Sequence, residues 1–255
     1  MIKKILLTLY ASAIVLTNTY CETKKPVPKQ DFTPQQVQSI QKIIKSYLVE
    51  NPRVLLEASM ALRKKINEEQ QYKAMRAIKK NWVKLFNNPN TPVLGNPTGN
   101  IIIAEFFDYQ CPHCKENRTA IDTLIKNNKS LKIMSMEWPI FGGASLTAAK
   151  AALAANKQGK YAELHNALLA APNPLTEEKI MTIAKKNGLN IKKLRKDMDA
   201  QEVMLQIKTN FLLAHNLGLM GTPAFVITKS DTQATAFIPG AANAEQLQQK
   251  INSLK

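Results

Sequence analysis

The chain of 255 residues carries a formal net charge of +16, and 45% of its residues are hydrophobic. These values are typical of a globular protein that buries a sizeable core. The positive charge raises the question of nucleic-acid binding, but the lysines are scattered through helical segments and form no block interleaved with aromatic residues. We therefore expect no nucleic acid as a partner and favour a lysine-rich solvated surface that attracts anionic lipid or acidic client proteins.

Residues 1–21 have the order of a secretory signal. After two lysines, residues 5–16 are apolar, too few for a comfortable membrane span, and polar residues follow them. We predict a cleaved signal peptide and an exported protein. Because the cleavage pattern before Cys21 is imperfect, an uncleaved anchor or a lipid attached at Cys21 is the alternative. Cleavage after Cys21 leaves Cys111 and Cys114 as the only thiols, for chemistry with partners.

Residues 22–86 predict an N-terminal helical extension. Thr33 and Asn51 each stand directly before a proline, which is a signal for the start of a helix. Apolar residues recur every three or four positions after the first signal, and they thin out between residues 64 and 80. This pattern predicts a second, long and solvated helix. Such an extension is a cap on the main domain, an oligomerisation element or a plain packing helix.

Residues 95–255 predict an α/β domain, after a loop or hairpin rich in Asn, Pro and Gly at residues 87–99. The order is strand, helix, strand, several helices, strand, strand, helix. The strands are expected at residues 101–107, 131–136, 224–227 and 234–238.

An alanine-rich helical insertion is expected at about residues 144–219, between the second and third of these strands. We predict four helices there, with breaks at Gly159, 172–174 and Gly188. Thr176 and Asp199 are expected to cap helices within the insertion. After the last strand, Asn243 and Gln246 resemble a capping box that opens the final helix.

The segment Cys111-Pro112-His113-Cys114 follows the first predicted strand, where a helix is expected to begin. Unpaired amides at a helix N-terminus favour an anion, so the Cys111 thiol should ionise readily and attack disulfides. Cys114 lies one turn later on the same face and can resolve the mixed disulfide. Pro112 suits the first helical turn. His113 should stabilise the Cys111 thiolate and make the disulfide a stronger oxidant, unless it is simply an exposed residue.

Two cysteines at this spacing also form half of a zinc site, which needs about four ligands. With Cys21 removed, only His165 and His215 remain to complete such a site. We therefore expect no metal and no cofactor other than the redox-active pair Cys111 and Cys114. A non-enzymatic metal-binding surface protein is a less favoured alternative.

The sequence around the cysteine pair resembles the DsbA-like thiol:disulfide oxidoreductases of the thioredoxin superfamily. The resemblance rests on Glu105-Phe106-Phe107, on the following Asp108-Tyr109-Gln110 and on Gly221-Thr222-Pro223 far downstream, and it extends from Gly95 to the C-terminus. It implies a thioredoxin fold with an inserted helical domain, here carrying an N-terminal helical extension. It also implies an enzyme of the periplasm that exchanges thiols and disulfides.

The resemblance implies roles for three further residues. Pro223 is expected to be a cis-proline that faces the active-site pair, with Thr222 presenting its backbone to an extended client peptide. Glu105 is expected to be a buried acid beneath the cysteines, where a raised pKa suits proton transfer with Cys114. The plain alternatives are a proline at the start of a strand and a surface glutamate.

Residues 31–63 resemble the N-terminal segment of DsbA-like proteins of the copper-sensitivity-suppressor C type. In some of those proteins this segment assembles subunits into trimers, and such assemblies can reshuffle disulfides. For this chain the resemblance implies a homo-oligomer formed through residues 31–63.

Together these observations predict an exported oxidoreductase that introduces disulfide bonds into reduced client proteins. A membrane protein or a small-thiol pool is expected to reoxidise it. The oxidising direction rests on Pro112, His113 and the family resemblance. The alternative is an isomerase or reductase that a partner keeps reduced and that acts on misoxidised clients, which the N-terminal extension favours.

Overall fold

The computed structural model describes residues 32–254, so the signal-like residues 1–21 lie outside the described part of the chain. The described residues form two compact units that divide between Met60 and Ala61. The strands are β1 (Val93–Gly95), β2 (Ile101–Phe107), β3 (Leu131–Glu137), β4 (Ala224–Lys229) and β5 (Thr235–Ile238). The helices are α1 (Pro34–Glu50), α2 (Pro52–Lys80), α3 (Trp82–Phe86), α4 (Pro112–Asn127), α5 (Gly143–Asn156), α6 (Tyr161–Ala170), α7 (Glu177–Lys186), α8 (Ile191–Met198), α9 (Gln201–Asn216) and α10 (Ala244–Ser253).

Helices α1 and α2 begin where the two proline signals predict. The Gln36 amide donates to the Thr33 hydroxyl, and the Thr33 amide donates to the Gln36 side chain, which completes a capping box. Helix α2 starts at Pro52 and runs for 29 residues. Helix α1 has no buried residue, and most of its apolar side chains are exposed in the single chain.

The second half of α2 belongs to the larger unit, whereas the sequence pattern assigns all of residues 22–86 to the extension. Four residues of α2 and α3 are buried in a core on one face of the sheet: Ala74, Ile78, Leu85 and Phe86. These side chains pack against the sheet because their spacing places them on one side of each helix. The structural division therefore falls inside α2 and not at the loop of residues 87–99.

The larger unit is built on a five-stranded sheet with the order β1-β3-β2-β4-β5. Strands β2 and β3 are parallel, and the other neighbouring pairs are antiparallel. Helix α4 makes the crossover between the two parallel strands. The sequence predicts β2 to β5 within two residues at each end, but it misses β1. That strand has three residues in a loop-like stretch and is defined by its pairing with β3.

The central strand β2 is buried on both faces. Ile103 and Phe107 pack into a core formed with α4, α10 and the helical insertion, and both cysteines lie in this core. Ala104 and Phe106 pack into the opposite core with α2, α3 and the end of α9. Burial on two faces explains why the strand is continuously apolar and does not alternate with polar residues.

The helical insertion contains five helices, α5 to α9, and not the predicted four. Asp199 is the C-cap of α8 and not the start of a helix, and α9 begins only two residues later, at Gln201. Helix α8 packs into the main core through Leu194, whereas α9 packs against α5 through Val203 and Ile207. The chain must turn between them because the two apolar faces have different partners.

The other helix breaks and caps described here agree with the prediction. Gly159 and Gly188 lie between helices with φ of 66° and 77°, a left-handed conformation that favours glycine. The Thr176 hydroxyl accepts a hydrogen bond from the Lys179 amide and caps α7. The predicted capping box of Asn243 opens α10.

Candidate active site

Cys111 is the N-cap residue of α4, and Pro112 is the first residue of the helix. The Cys111 amide donates to the Asp108 carbonyl at 3.2 Å, which closes the turn after β2. Cys111 and Cys114 are free thiols, and their residues are 4% and 1% exposed. Because Cys111 is the N-cap residue, its sulfur lies at the positive end of the helix dipole.

The two sulfurs differ in their affinity for a proton. The pKa of Cys111 is lowered from 9.0 to about 5, chiefly by a hydrogen bond from the Cys114 thiol and further by the Thr222 side chain and the amides of Cys114 and His113, against the effect of burial. Burial raises the pKa of Cys114 far above its ordinary value, and the hydrogen bond with Cys111 raises it further. At neutral pH the reduced pair therefore holds a thiolate at Cys111 and a thiol at Cys114.

The two residues between the cysteines occupy the first turn of α4. Pro112 lacks an amide proton at a position where the helix provides no acceptor for one. The His113 side chain is 67% exposed, and its Nδ1 lies 3.2 Å from Oε2 of Glu116. The backbone amide of His113 contributes to the lowering of the pKa of Cys111.

The segment Gly221-Thr222-Pro223 lies beside Cys111, although 111 residues separate Cys111 from Thr222 in the chain. The Cys111 sulfur lies 3.3 Å from the Thr222 carbonyl oxygen, to which it donates only as the protonated thiol, and the Thr222–Pro223 peptide bond is cis. The Thr222 hydroxyl is buried, and the Thr222 side chain also lowers the pKa of Cys111. Strand β4 begins directly afterwards at Ala224, and its pairing with β2 holds this segment near the helix N-terminus.

Glu105 lies in the central strand, 4% exposed, between Ser135 on β3 and Phe225 on β4. It shares the sheet face of Phe107, which packs into the core that contains both cysteines. Burial, with a smaller contribution from the charge of Asp122 on α4, raises the pKa of Glu105 from 4.5 to about 8. Glu105 is therefore a protonated acid at neutral pH.

The loop before the first active-site cysteine is tied to the helical insertion, a feature that the sequence pattern did not reveal. The Asp108 carboxylate accepts hydrogen bonds from the Gln110 amide and the Ser145 hydroxyl, both at 2.7 Å, and from the Phe141 amide at 3.2 Å. Asn173 donates to the Gln110 carbonyl at 2.8 Å. The sequence marks Asp108 as a candidate site residue because it is polar and directly follows an apolar strand. Nothing in the sequence marks the distant residues that donate hydrogen bonds to its carboxylate.

Tyr109 extends this connection through a buried network. The hydroxyls of Tyr109 and Tyr161 both donate to Oε1 of Glu137, at 2.7 and 2.8 Å, and Nδ1 of His165 lies 3.0 Å from the Tyr109 hydroxyl. Burial raises the pKa of Glu137 well above its usual range and lowers that of His165 to about 3. The His165 imidazole is therefore uncharged at neutral pH, burial favours the protonated form of Glu137, and the network links the active-site loop to β3 and α6.

The histidines considered for a zinc site lie apart from each other. His165 is in the buried tyrosine network, whereas His215 is exposed on α9. Within residues 32–254, no group of three or more His, Cys, Asp and Glu side chains is arranged to hold a metal ion.

Comparison with known proteins assigns the thioredoxin domain to a family. Residues 102–252 match the DSBA-like thioredoxin domain. The chain belongs to the DSBA-like thioredoxin domain family. A thioredoxin-like oxidoreductase from Silicibacter pomeroyi DSS-3 is 40% identical, with a TM-score of 0.63 over 67% of this chain and 95% of that chain. The thiol-disulfide exchange protein alpha-DsbA2 from Wolbachia pipientis is 28% identical, with a TM-score of 0.66 over 74% of this chain and 98% of that chain.

Family membership confirms the predicted thioredoxin fold and makes the protein a thiol:disulfide oxidoreductase. Residues 36–69 match the N-terminal domain of the copper resistance protein ScsC, which confirms the second resemblance. A periplasmic thioredoxin-like protein from Salmonella enterica serovar Typhimurium is 25% identical, with a TM-score of 0.58 over 67% of this chain and 92% of that chain.

Curated relatives of the family domain include a much longer protein. The Na(+)/H(+) antiporter NhaA 3 of Salinispora tropica is 25% identical over 129 residues, which are 50% of this chain and 20% of the antiporter. The chain thus spans about a fifth of the length of that relative. Over residues 32–254, none of the helices has the length and apolar character needed to cross a membrane.

Proposed function

We propose that the protein introduces disulfide bonds into exported client proteins by thiol–disulfide exchange at Cys111 and Cys114. The observation that carries the oxidising direction is the contrast between the two sulfurs. The pKa of Cys111 is lowered to about 5, whereas burial raises that of Cys114. A stabilised Cys111 thiolate favours the reduced enzyme, so the Cys111–Cys114 disulfide is a strong acceptor of electrons.

The reaction begins with the oxidised pair. A client thiolate attacks the sulfur of Cys111, the Cys111–Cys114 bond breaks, and Cys114 leaves with the electron pair. A second client thiolate attacks the client sulfur of the mixed disulfide, and Cys111 leaves as a stable thiolate. Two client thiols are oxidised to one disulfide, and the cysteine pair gains two electrons. A disulfide of a membrane protein or of a small-thiol pool then accepts these electrons and restores the Cys111–Cys114 bond.

Glu105 is suited to supply the proton that Cys114 takes up when it leaves. The raised pKa of Cys114 means that its thiolate is strongly basic in this buried site. Glu105 is protonated at neutral pH because its pKa is about 8, and it belongs to the same sheet face as the core around Cys114. We assign it as the proton donor in the oxidising direction and as the acceptor when the disulfide is restored.

Thr222 and Pro223 are assigned to client binding. The Thr222 carbonyl touches the Cys111 sulfur, so a client that attacks this sulfur must pass the Thr222 main chain. Within the described part of the chain, the amides of Gly221 and Thr222 donate no backbone hydrogen bond. An extended client segment can pair with this backbone in the manner of an added strand.

A reduction-potential measurement tests the direction of the reaction. The mature protein is equilibrated with glutathione buffers, and the fraction of Cys111–Cys114 disulfide is determined by alkylation and mass. We expect a potential well above the value of about −270 mV that characterises a reducing thioredoxin. Acid trapping in cells should find the pair mostly oxidised. A mostly reduced pair with a thioredoxin-like potential would refute the oxidase proposal.

An isomerase within a homo-oligomer is the second candidate, and the exposed face of α1 favours it. Ile40, Ile44 and Tyr47 are 38%, 52% and 53% exposed. With Val37 they repeat at intervals of three and four residues, which is the spacing of a coiled-coil seam. Several chains joined through such seams would bring more than one cysteine pair to a client with wrongly paired disulfides.

The oligomer is tested by measuring the mass in solution. Wild-type protein should be an oligomer, and Ile40→Asp together with Ile44→Asp should convert it to a monomer because charges at the seam cannot be buried. The matched control is Gln38→Asp with Gln41→Asp, which adds the same charge at polar positions of the same helix. A monomeric wild-type protein would remove the support for the isomerase candidate.

Export is part of the proposal. Its support is the signal-like order of residues 1–21, together with the similarity to a protein described as periplasmic. Cell fractionation should recover the protein outside the cytoplasm, and the mass of its N-terminal peptide should show loss of residues 1–21. A lipid at Cys21 would instead add the mass of the acyl groups, and an intact cytoplasmic protein would contradict export.

A further inference from the structure

A cleft with a volume of about 470 Å³ lies between the second half of α2 and the hairpin of β4 and β5. This volume is within the range of roughly 300 to 1,000 Å³ found for ligand pockets. One wall comes from α2 and the start of α3, and the other comes from the hairpin. The lining residues are Tyr72, Met75, Arg76, Ile78, Lys79, Trp82, Gln233 and Thr235. None of them is assigned to client binding or to the exchange reaction.

The base of the cleft is apolar. Ile78 is buried, and Met75 and Trp82 are partly buried against the same core, which lies on the sheet face opposite the cysteine pair. Tyr72 is 65% exposed and extends the aromatic surface toward solvent. Two aromatic rings and a thioether suit a flat apolar ligand, because aromatic rings stack and methionine adapts to the shape that it contacts.

Two cations adjoin this apolar surface without an acidic partner. Arg76 and Lys79 line the cleft, no acidic side chain does, and neither cation forms a salt bridge within residues 32–254. The Arg76 guanidinium lies 5.8 Å from the centre of the Tyr72 ring, and this cation–π contact holds it at the edge of the aromatic surface. A guanidinium pairs with both oxygens of a carboxylate. The lining therefore matches a ligand that combines a flat apolar body with a negative charge.

We propose that this cleft binds a small aromatic carboxylate, with its ring against Met75 and Trp82 and its carboxylate on Arg76 and Lys79. The occupant is a free small molecule, because the lining offers only the amide and hydroxyl side chains of the hairpin to pair with a peptide main chain. The site is separate from the exchange reaction, since the cysteines lie in the core on the other face of the sheet. A ligand bound there contacts both α2 and the hairpin and strengthens the attachment of α2 to the sheet.

The test uses naphthalene-2-carboxylate as the probe and 2-naphthalenemethanol as its uncharged counterpart. The full-length protein is labelled with 5-fluorotryptophan, which gives two fluorine signals because the chain contains two tryptophans, Trp82 and Trp138. The variant Trp82→Phe assigns these signals. Trp82 lines the cleft and Trp138 does not, so the carboxylate should shift the Trp82 signal alone. Calorimetry gives the dissociation constant of each compound.

The wild type should bind the carboxylate about tenfold more tightly than the alcohol, as expected for a charge-assisted hydrogen bond. Arg76→Gln with Lys79→Gln should lower the affinity for the carboxylate by about tenfold and leave that for the alcohol unchanged. The matched control is Lys73→Gln with Lys80→Gln, which removes the same charge from exposed positions of α2 outside the cleft. It should keep the preference for the carboxylate. Tyr72→Ala, at an exposed position, should weaken the binding of both compounds.

Each of three results would overturn the inference: a Trp82 signal that does not move at millimolar probe, equal affinity for the carboxylate and the alcohol, or equal losses in the cleft variant and its control. A short peptide that ends in tryptophan presents a ring and a carboxylate at a chain end. Tighter binding of this peptide than of the free acid would refute the small-molecule assignment. All variants should form the mixed disulfide with glutathione at the wild-type rate, so loss of this site leaves the proposed function intact.

Discussion

The low pKa of Cys111 depends most on its neighbour Cys114, and this dependence can be tested by substitution. Cys114→Ala removes the hydrogen bond that contributes most to the lowering, so we expect the titration of Cys111 to move from about pH 5 toward 9.0. Cys114→Ser keeps a hydroxyl donor and should move it less. At pH 7, a pKa of about 5 leaves about 99% of Cys111 as thiolate, against about 1% for a pKa of 9.0.

Compared with a thiol of pKa 9.0, this hundredfold higher thiolate fraction stabilises the reduced protein by about 2.7 kcal/mol at pH 7. For a two-electron couple this raises the reduction potential by about 60 mV. The value is an upper limit because solvent at the site screens the charge. Since the pKa is lowered in the folded state, the stabilisation of the reduced protein is fully present above pH 9.0 and is lost as the pH falls through about 5. Acidification should therefore bring the stabilities of the reduced and oxidised proteins closer together.

The assay is the rate of alkylation of Cys111 by iodoacetamide as a function of pH, with the modified residue identified by mass. The reduced wild type should show a midpoint near pH 5, and the two variants should rank with alanine above serine. A wild-type midpoint near 9.0 would refute the stabilised thiolate. An unchanged midpoint in Cys114→Ala would show that Cys114 is not its main cause.

Three buried polar groups give further predictions, each measured by urea unfolding. Glu105→Gln should stabilise the protein by about 3 kcal/mol at pH 7, because the raised pKa costs stability that grows from pH 4.5 to about 8 and persists above it, and the gain should vanish below pH 4.5. Ser145→Ala removes a hydrogen bond to the buried Asp108 carboxylate and should cost about 1–3 kcal/mol, with the more exposed Thr147→Ala nearly neutral as control. Tyr161→Phe removes one of two hydroxyls that donate to a buried carboxyl oxygen and should cost about 1–2 kcal/mol. Equal stability at pH 7 for Glu105→Gln and wild type, or unchanged unfolding in the other two variants, would contradict the assigned burial and contacts.

Local signals in the sequence predicted most of the fold. Thr33, Thr176 and Asn243 start helices because a capping side chain and its amide partner lie within three residues of each other. Strand β2 could be predicted from its continuous apolar run. Strand β1 could not, because three residues carry too little pattern and the strand depends on its pairing with β3.

The end of the N-terminal extension and the number of helices in the insertion depended on packing. The second half of α2 has few apolar residues, and only its contact with the sheet shows that Ala74 and Ile78 belong to the larger unit. The separation of α8 from α9 follows from the different cores that their apolar faces join. A single sequence displays the apolar faces but not their partners.

The sequence by itself indicated thiol–disulfide exchange, because two thiols one helical turn apart, after an apolar strand, need only local structure to lie close together. The tertiary structure decided which thiol is acidic and what approaches it. Cys114 is buried by packing against the sheet and the insertion, and the Thr222 carbonyl reaches Cys111 through the pairing of β4 with β2. Burial and hydrogen bonding between segments far apart in the chain are set by the packed fold, and no pattern in neighbouring residues encodes them.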